Sequence, residues 1–575
     1  MSASLRLRLL LPLLLLAACT SQAQWHFTGD STPTWEQAIA RFQRFADTRP
    51  GAHLSTIGAD DNGLPIHLFV LADGTFPHPD SLRAAGKSIL WITNGIHPGE
   101  PDGVDASLLL AQALLDSDQY MGLLANTAVC IVPVYNVSGA LQRSSTSRAN
   151  QTGPAEYGFR ANARNLDLNR DFIKADSRNT RSLLAALRTW DPDLYFETHV
   201  SNGADHQYVM ELLTSHPDRL DPALRSYLST TLKPALHAWM DRRGVLMGPY
   251  FETRGQTPEQ GLEGFLDGPR YSSGHAALHH RIGILSETHM LKPYADRVNA
   301  TFQLMLATLA VLNEQGAALR TARAQAREHT RTATHFGFNH RLDTTHVEQL
   351  PWKGYRPRTA PSAVSGLPRL QYDHSQPTDT VVPWMDRFVP AFTLAKPAAY
   401  LIPQAWHELI TRLELDGVPL ERLPADTSFT VTAQRIAAHT TVQEPFEGRY
   451  LHRGIRTTTD TLVYQARAGD VRVPMGHATD RLAMEILEPR AADSFFAWGF
   501  FDPILQQKEW FSDYVFEDIA ADLLASDPAL RQALEATRAA DPALANDAWG
   551  QLYWVYQRSP YFEPGYRLVP VFSIR

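Results

Sequence analysis

Apolar residues along this chain fall into two rhythms. Four short runs are apolar almost without interruption, at 88–93, 128–134, 194–199 and 282–287. Runs of that length without polar alternation predict strands buried on both faces. Longer stretches at 177–190, 221–243 and 292–315 carry apolar residues at three- and four-residue spacing, which predicts helices. Alternation of the two kinds from about Trp35 to Gly316 is the rhythm of an α/β domain. An arginine-rich stretch from Leu319 to Arg331 follows, and 317–334 reads as a linker or a solvated helix face. Beyond His335 the pattern changes to proline-punctuated short stretches such as Tyr400-Leu401-Ile402-Pro403, with helical spacing after Arg481, so 335–575 reads as a separate α+β region of unassigned role. The aromatic block Phe495-Phe496-Ala497-Trp498-Gly499-Phe500-Phe501 is expected to be packed core or a domain interface.

Composition narrows the partners. The 575 residues are too many for one ordinary core, and a hydrophobic fraction of 44% with 20% charged residues is that of a soluble globular protein. A net charge of −8 gives no footing for nucleic acid or an anionic membrane, so a small molecule or peptide is the expected partner. At the N-terminus Arg6 and Arg8 precede Leu9-Leu10-Leu11-Pro12-Leu13-Leu14-Leu15-Leu16, a run too short to span a bilayer and suited to a signal peptide over 1–23. Leu16-Ala17-Ala18-Cys19 resembles a lipobox, which implies cleavage before Cys19, a lipid anchor there and an outer-membrane lipoprotein. Ser21-Gln22-Ala23 offers the alternative of plain cleavage and a soluble periplasmic or secreted protein. Cys19 belongs to the signal region, so Cys130 is the one cysteine left to the mature fold for redox chemistry. It lies in an apolar strand run and is expected to be a small core residue.

The candidate chemistry starts at Asn94-Gly95-Ile96-His97-Pro98-Gly99-Glu100-Pro101. With 22 histidines in the chain, about one His-x-x-Glu arises by chance. Its position carries the weight: the pair sits between a predicted buried strand and a helix-forming stretch opening at Asp105, on the strand-to-helix side where open α/β sheets bind ligands. A catalytic zinc takes three protein ligands and leaves one position open. His97 and Glu100 offer two, and His199, at the end of the strand run Leu194-Tyr195-Phe196-Glu197-Thr198-His199, offers the third. Between them, Asn169-Arg170 places an amide donor beside a guanidinium fork, a pairing suited to a free carboxylate. Glu-Thr-His also occurs twice, at 197–199 and 287–289. Residues two apart on a strand share a face, so Glu197 is expected to orient a ligand and His289 to line the site.

His97, Glu100, His199 and the run Asp167-Leu168-Asn169-Arg170 together resemble the signature of the zinc carboxypeptidases, the M14 metallopeptidases, over roughly residues 35–316. The resemblance implies a carboxypeptidase-like mixed sheet flanked by helices, one Zn2+ ion, and a peptide substrate with a free C-terminal carboxylate. It further implies Glu287 as general base, Asn169 and Arg170 as carboxylate clamp, and Arg160 as the electrophile, with Arg164 as the alternative. Family members carry a mobile tyrosine some twenty residues before the base, whereas here the candidate, Tyr271, stands closer. The implied activity is hydrolysis of the C-terminal peptide bond by a Glu-assisted zinc-water mechanism. A murein-peptide amidase or an N-acyl amino acid deacylase could use the same site, and a non-catalytic peptide-binding protein could keep the fold. The floor of the specificity pocket stays unassigned.

Overall fold

The computed structural model of the chain describes residues 25–74 and 77–575; the signal-peptide and lipobox readings, Cys19 included, lie outside these residues. An eight-stranded mixed sheet forms from β1 (Ala52–Ala59), β2 (Pro65–Leu71), β3 (Ser88–Thr93), β4 (Thr127–Val132), β5 (Leu194–Ser201), β6 (Met210–Thr214), β7 (Met247–Pro249) and β8 (Ile282–His289). Their spatial order is β1-β2-β4-β3-β5-β8-β6-β7. The four apolar runs are the four contiguous central strands, β4-β3-β5-β8, all parallel to one another. Their lack of polar alternation has a direct cause: both faces of the sheet are covered.

Alternate residues divide between two cores. Leu90, Ile92, Phe196 and Ile284 face α1 (Trp35–Ala46), α2 (Asp102–Asp116) and a long helix, while Ile89, Trp91, Cys130 and Tyr195 face α3 (Arg178–Trp190). Cys130 is fully buried, as expected of a core residue. On the α3 side also lies α4 (Ser272–Leu278), which contributes Ala276 to that core. Each leucine, isoleucine or phenylalanine buried this completely contributes roughly 1.5–3 kcal/mol relative to leaving it exposed. The long helix, α5 (Tyr294–Thr332), has 39 residues and is about 58 Å long at 1.5 Å per residue.

Two expectations need correction. The segment 221–243 is not one helix: Pro222–Tyr227 and Lys233–Arg242 are joined by a π-helical turn at Leu228–Leu232. Pro234 lacks a donor and its ring crowds the preceding turn, which the wider π turn accommodates. The arginine-rich stretch is helix and not a linker, because α5 runs through it without a break, and only part of its face is solvated. Arg323 is buried, with Nη1 2.6 Å from Asp193 and Nη2 2.8 Å from Asp191, and Arg327 reaches Asp191 at 2.7 Å. These arginines lock the helix onto the turn between α3 and β5.

The region after His335 is α+β, with strands longer than the short elements expected. Two ribbons, Glu348–Pro361 with Pro368–Met385 and Thr427–Thr441 with His452–Ala466, dominate it. Pro403 follows the last residue of a strand. The prolines inside the first ribbon, such as Pro351, Pro357 and Pro377, are accommodated because its strands are paired along most of their length on one edge only, so a missing donor on the other costs little. Phe495, Phe496, Trp498 and Phe501 are fully buried in the core of this region, which also takes in Ile173 and Leu278 from the first. The two regions therefore share packing. Among the described residues no helix is long and apolar enough to cross a membrane.

Candidate metal centre and substrate cleft

The site is built where β3, β5 and β8 end. After Thr93 the chain turns through Gly95, whose φ of +63° is a left-handed conformation that favours glycine. The His97 carbonyl then accepts the Glu100 N–H at 2.9 Å, closing a turn that sets both side chains on one side before α2 begins. Gly103, in the first turn of α2, lies so close to Thr198 and Asn94 that a Cβ there would strike the Thr198 side chain. That close approach seats the ligand loop directly on β5.

Strand periodicity does the rest. His199 and Glu287 are register partners on adjacent parallel strands, so they stand side by side on the α3–α4 face. The two threonines of the repeated Glu-Thr-His point the other way. Thr198 Oγ1 donates to Asn94 at 3.1 Å, and Thr288 Oγ1 donates to Asp102 at 2.6 Å.

His97, Glu100 and His199 come together, all nearly fully buried, with one donor atom of each within 4.8 Å of the others. His97 Nδ1 and His199 Nδ1 lie 3.3 and 3.2 Å from the same oxygen, Glu100 Oε2. Both far nitrogens are held by carboxylates: His97 Nε2 by Asp167 at 2.9 Å and His199 Nε2 by Glu197 at 2.8 Å. An imidazole whose Nε2–H is committed to a carboxylate presents an Nδ1 lone pair, the arrangement in which histidines bind metal. The charge environment agrees. Burial would depress His199, yet Glu287, Glu100 and Glu197 hold it well above the ordinary histidine range, which marks a pocket that stabilises positive charge. Two imidazoles, one carboxylate and an open cleft are the donor set of a catalytic zinc, and these residues fit such an ion.

The cleft beside them has a volume of about 420 Å³. Arg160, Asn169, Arg170, Tyr271 and Glu287 all line it together with the three metal-binding candidates. Glu287 is the one residue of β8 that is not fully buried, and it opens onto the cleft. Burial first, and then the neighbouring carboxylates Glu100 and Glu211, push its carboxyl up to about 7 against the opposing pull of His199. Asn169 is buried; its Oδ1 accepts the Ser272 N–H at 2.9 Å. The Arg170 guanidinium lies over the Tyr271 ring at 4.4 Å. Arg160 donates from Nε and Nη2 to Asp167 at 3.0 and 2.8 Å, and its Nη1 approaches Glu100 Oε1 at 3.4 Å. Arg164, by contrast, is exposed and donates to the Asp176 carbonyl, away from the cleft. His275 also points elsewhere, its Nε2 lying 2.9 Å from Asp416 of the C-terminal region.

Three further residues brace the site. Arg148, from the loop after β4, is bonded through Nη1 to Glu100 Oε1 and through Nη2 to the Val200 carbonyl at 2.9 Å. With Arg148 and both histidines beside it, the Glu100 carboxyl is held well below its ordinary range even though burial opposes ionisation. Asp167 opens the run Asp167-Leu168-Asn169-Arg170, and its place three residues before Arg170 was the available signal. Glu447, from the C-terminal region, accepts the Asp167 N–H at 2.6 Å. Arg449 clasps Asp176 at 2.7 Å, and Arg270 clasps Asp493 at 2.6 Å. The C-terminal region thus braces the loops that carry the site.

The chain is similar in sequence to known carboxypeptidases. Residues 39–202 match the family model described as zinc carboxypeptidase, a span that holds His97, Glu100, Arg160, Asn169, Arg170 and His199, with Tyr271 and Glu287 beyond it. Over 497 residues the chain is 23% identical to carboxypeptidase 2 of Trichophyton rubrum, covering 82% of this chain and 85% of that protein. Carboxypeptidase 2 of Trichophyton equinum is 23% identical over 434 residues, covering 72% and 74%. Among solved structures, a metallo-carboxypeptidase from Burkholderia cenocepacia aligns over 49% of this chain and 69% of its own, with 17% identity and a TM-score of 0.37.

Proposed function

We propose that this chain, a member of the M14 zinc carboxypeptidase family through residues 39–202, is a zinc-dependent metallocarboxypeptidase that hydrolyses the C-terminal peptide bond of peptides. The observation that carries the reading is the convergence of His97 Nδ1 and His199 Nδ1 on Glu100 Oε2 beside Arg170 and Glu287. His97, Glu100 and His199 would hold one zinc ion, which when bound supplies a Lewis acid that polarises a carbonyl and acidifies water. Glu197 and Asp167 fix the tautomers of the two histidines.

Glu287 is the general base. A carboxyl raised toward neutrality can take the proton of the attacking water and return it to the leaving amine. Arg160 is aimed by its paired bonds to Asp167 and directs Nη1 into the cleft, where it can donate to the oxygen on which negative charge develops. Asn169 and Arg170 receive the terminal carboxylate, with Tyr271 stacked under the guanidinium to hold its plane.

The remaining cleft wall suggests the preferred terminal residue. Leu285 and Leu213 are register partners on the face that carries Glu287, and with Tyr250, Phe265 and Met290 they form an apolar surface. That wall favours an apolar or aromatic C-terminal side chain over a charged one. The basic and leucine-rich N-terminus supports export, with Cys19 as the point of lipidation and 335–575 as a supporting region of the enzyme.

The test is hydrolysis of N-blocked dipeptides ending in Phe, Leu, Lys or Glu, each with a free and an amidated C-terminus. Cleavage confined to free carboxylates and fastest for Phe or Leu is expected. Equal cleavage of amidated substrates would contradict the carboxylate clamp.

A further inference from the structure

The sheet face that carries His199 and Glu287 continues beyond them. His199 on β5, Glu287 on β8 and Glu211 on β6 are successive register partners. With strands ~4.8 Å apart, Glu211 stands about 10 Å from His199. His289, two residues past Glu287, shares that face. The loop 202–209 brings His206 against both. His206 Nε2 lies 2.8 Å from Glu211 Oε1, and the His206 and His289 rings are 4.5 Å apart at 63°. One donor atom from each of the three lies within 4.8 Å of the others, and the residues are only 0%, 2% and 1% exposed.

The ring nitrogens separate this group from an ordinary buried polar cluster. His206 Nδ1 and His289 Nε2 are buried and make no well-aligned hydrogen bond with the described residues, although the Tyr208 backbone lies near the first ring and the Ala204 backbone near the second. A buried nitrogen left unsatisfied destabilises the fold. The Ser201 hydroxyl donates to Glu211 at 2.8 Å. The nearby ammonium, Lys292, is engaged instead by the His206 carbonyl and by Asp205 at 3.5 Å. The rings of Tyr208, Phe251 and Trp352, 5.4 to 5.7 Å from His206, form a dry shell on the outer side.

We propose that His206, Glu211 and His289 form a second divalent metal site, separate from the catalytic one and suited by its donors to zinc. Two neutral imidazoles and a carboxylate are zinc ligands, and such burial implies that the ion enters as the chain folds. The site shares no ligand with His97, Glu100 and His199. Its place in the fold assigns it a structural role. His206 bridges to Gly354, and Gln207 donates to the carbonyls of Gly354 and Thr378, each at 2.9 Å. An ion there ties the C-terminal ribbon to the strand that carries Glu287.

The experiment is elemental analysis of the full-length protein, with the visible spectrum of the cobalt-substituted form and circular dichroism as a check of folding. Two zinc ions per wild-type chain are expected, with one in His97→Gln, one in His289→Gln and none in the double variant. His206→Gln should behave as His289→Gln does. One zinc per wild-type chain with none in His97→Gln overturns the second site, whether or not the His289 variant folds. Full wild-type metal in His289→Gln does the same. Full wild-type metal in His97→Gln would count against the catalytic site instead.

Discussion

Replacing Glu197 by glutamine removes a charge from beneath the catalytic metal site while keeping the side chain's size. Glu197 is completely buried. Its Oε2 accepts from His199 Nε2 at 2.8 Å and from Ser272 Oγ at 2.5 Å, and its Oε1 accepts from the Tyr195 hydroxyl at 2.8 Å. The ionised carboxylate fixes the His199 proton on Nε2 and raises the basicity of Nδ1. A hydrogen bond to a charged group is worth about 1.5–3 kcal/mol and a neutral one about 0.5–1.5, so the exchange loses roughly 1–2 kcal/mol of metal affinity. The glutamine NH2 must also face Tyr195 or Ser272, both of which donate to Glu197 now. Zinc at the His97 site should therefore bind about 5- to 30-fold more weakly. The assay is titration of metal-free protein against a chromophoric chelator, scored on the class of site that His97→Gln abolishes. An affinity within twofold of wild type would refute the role assigned to Glu197.

Arg170→Ala should lower kcat/KM for N-blocked dipeptides with a free carboxylate by about 10²-fold or more, a loss in the 2–5 kcal/mol range, and should erase their advantage over amidated analogues; an unchanged ratio counts against the clamp. Arg323→Ala strands the buried carboxylate of Asp193 and should destabilise the fold by about 3–5 kcal/mol in urea denaturation; a change under about 1 kcal/mol would mean that α5 is not held by this pair. Asp176 is paired with Arg449, Arg412 and Lys174, which together outweigh its burial and hold its carboxyl down at about 2, from an ordinary 3.8. A depressed carboxyl stabilises fully above its unfolded pKa and loses that contribution as pH falls through its folded one, so roughly 2 kcal/mol should disappear between pH 4 and pH 2. Thermal denaturation of Asp176→Asn should accordingly be less stable at pH 6 and flatter across the acid range; parallel profiles would contradict this.

The parts of the fold that could be read from the residue pattern are those whose pattern has one physical cause. The central strands β3, β4, β5 and β8 are apolar on both faces because the sheet is covered on both, and the site residues on their ends follow from strand direction. The β1–β2 hairpin and the short strands β6 and β7 are mixed in polarity and lie toward the sheet edges, where no such run is required. Arg148 reaches Glu100 from 48 residues away in a loop without a motif, so only the folded path of the chain brings it there. Arg323 misled for the same reason: helical spacing records which residues lie on a helix face, and says nothing about whether two aspartates, Asp191 and Asp193, wait beneath it. Tyr271 and Arg170 stand at unremarkable spacing, and their stacking appears only when the turn before α4 folds back over the Asn169-Arg170 segment.

The most direct test of the central claim is Glu287→Gln, assayed for metal content and for peptide hydrolysis on the same preparation. Glu287 is assigned to proton transfer and not to ligation, so the variant should keep the wild-type zinc content while kcat falls by about 10²- to 10⁴-fold. A kcat within tenfold of wild type would contradict the assigned base, and loss of zinc at the His97 site would place Glu287 among the ligands instead.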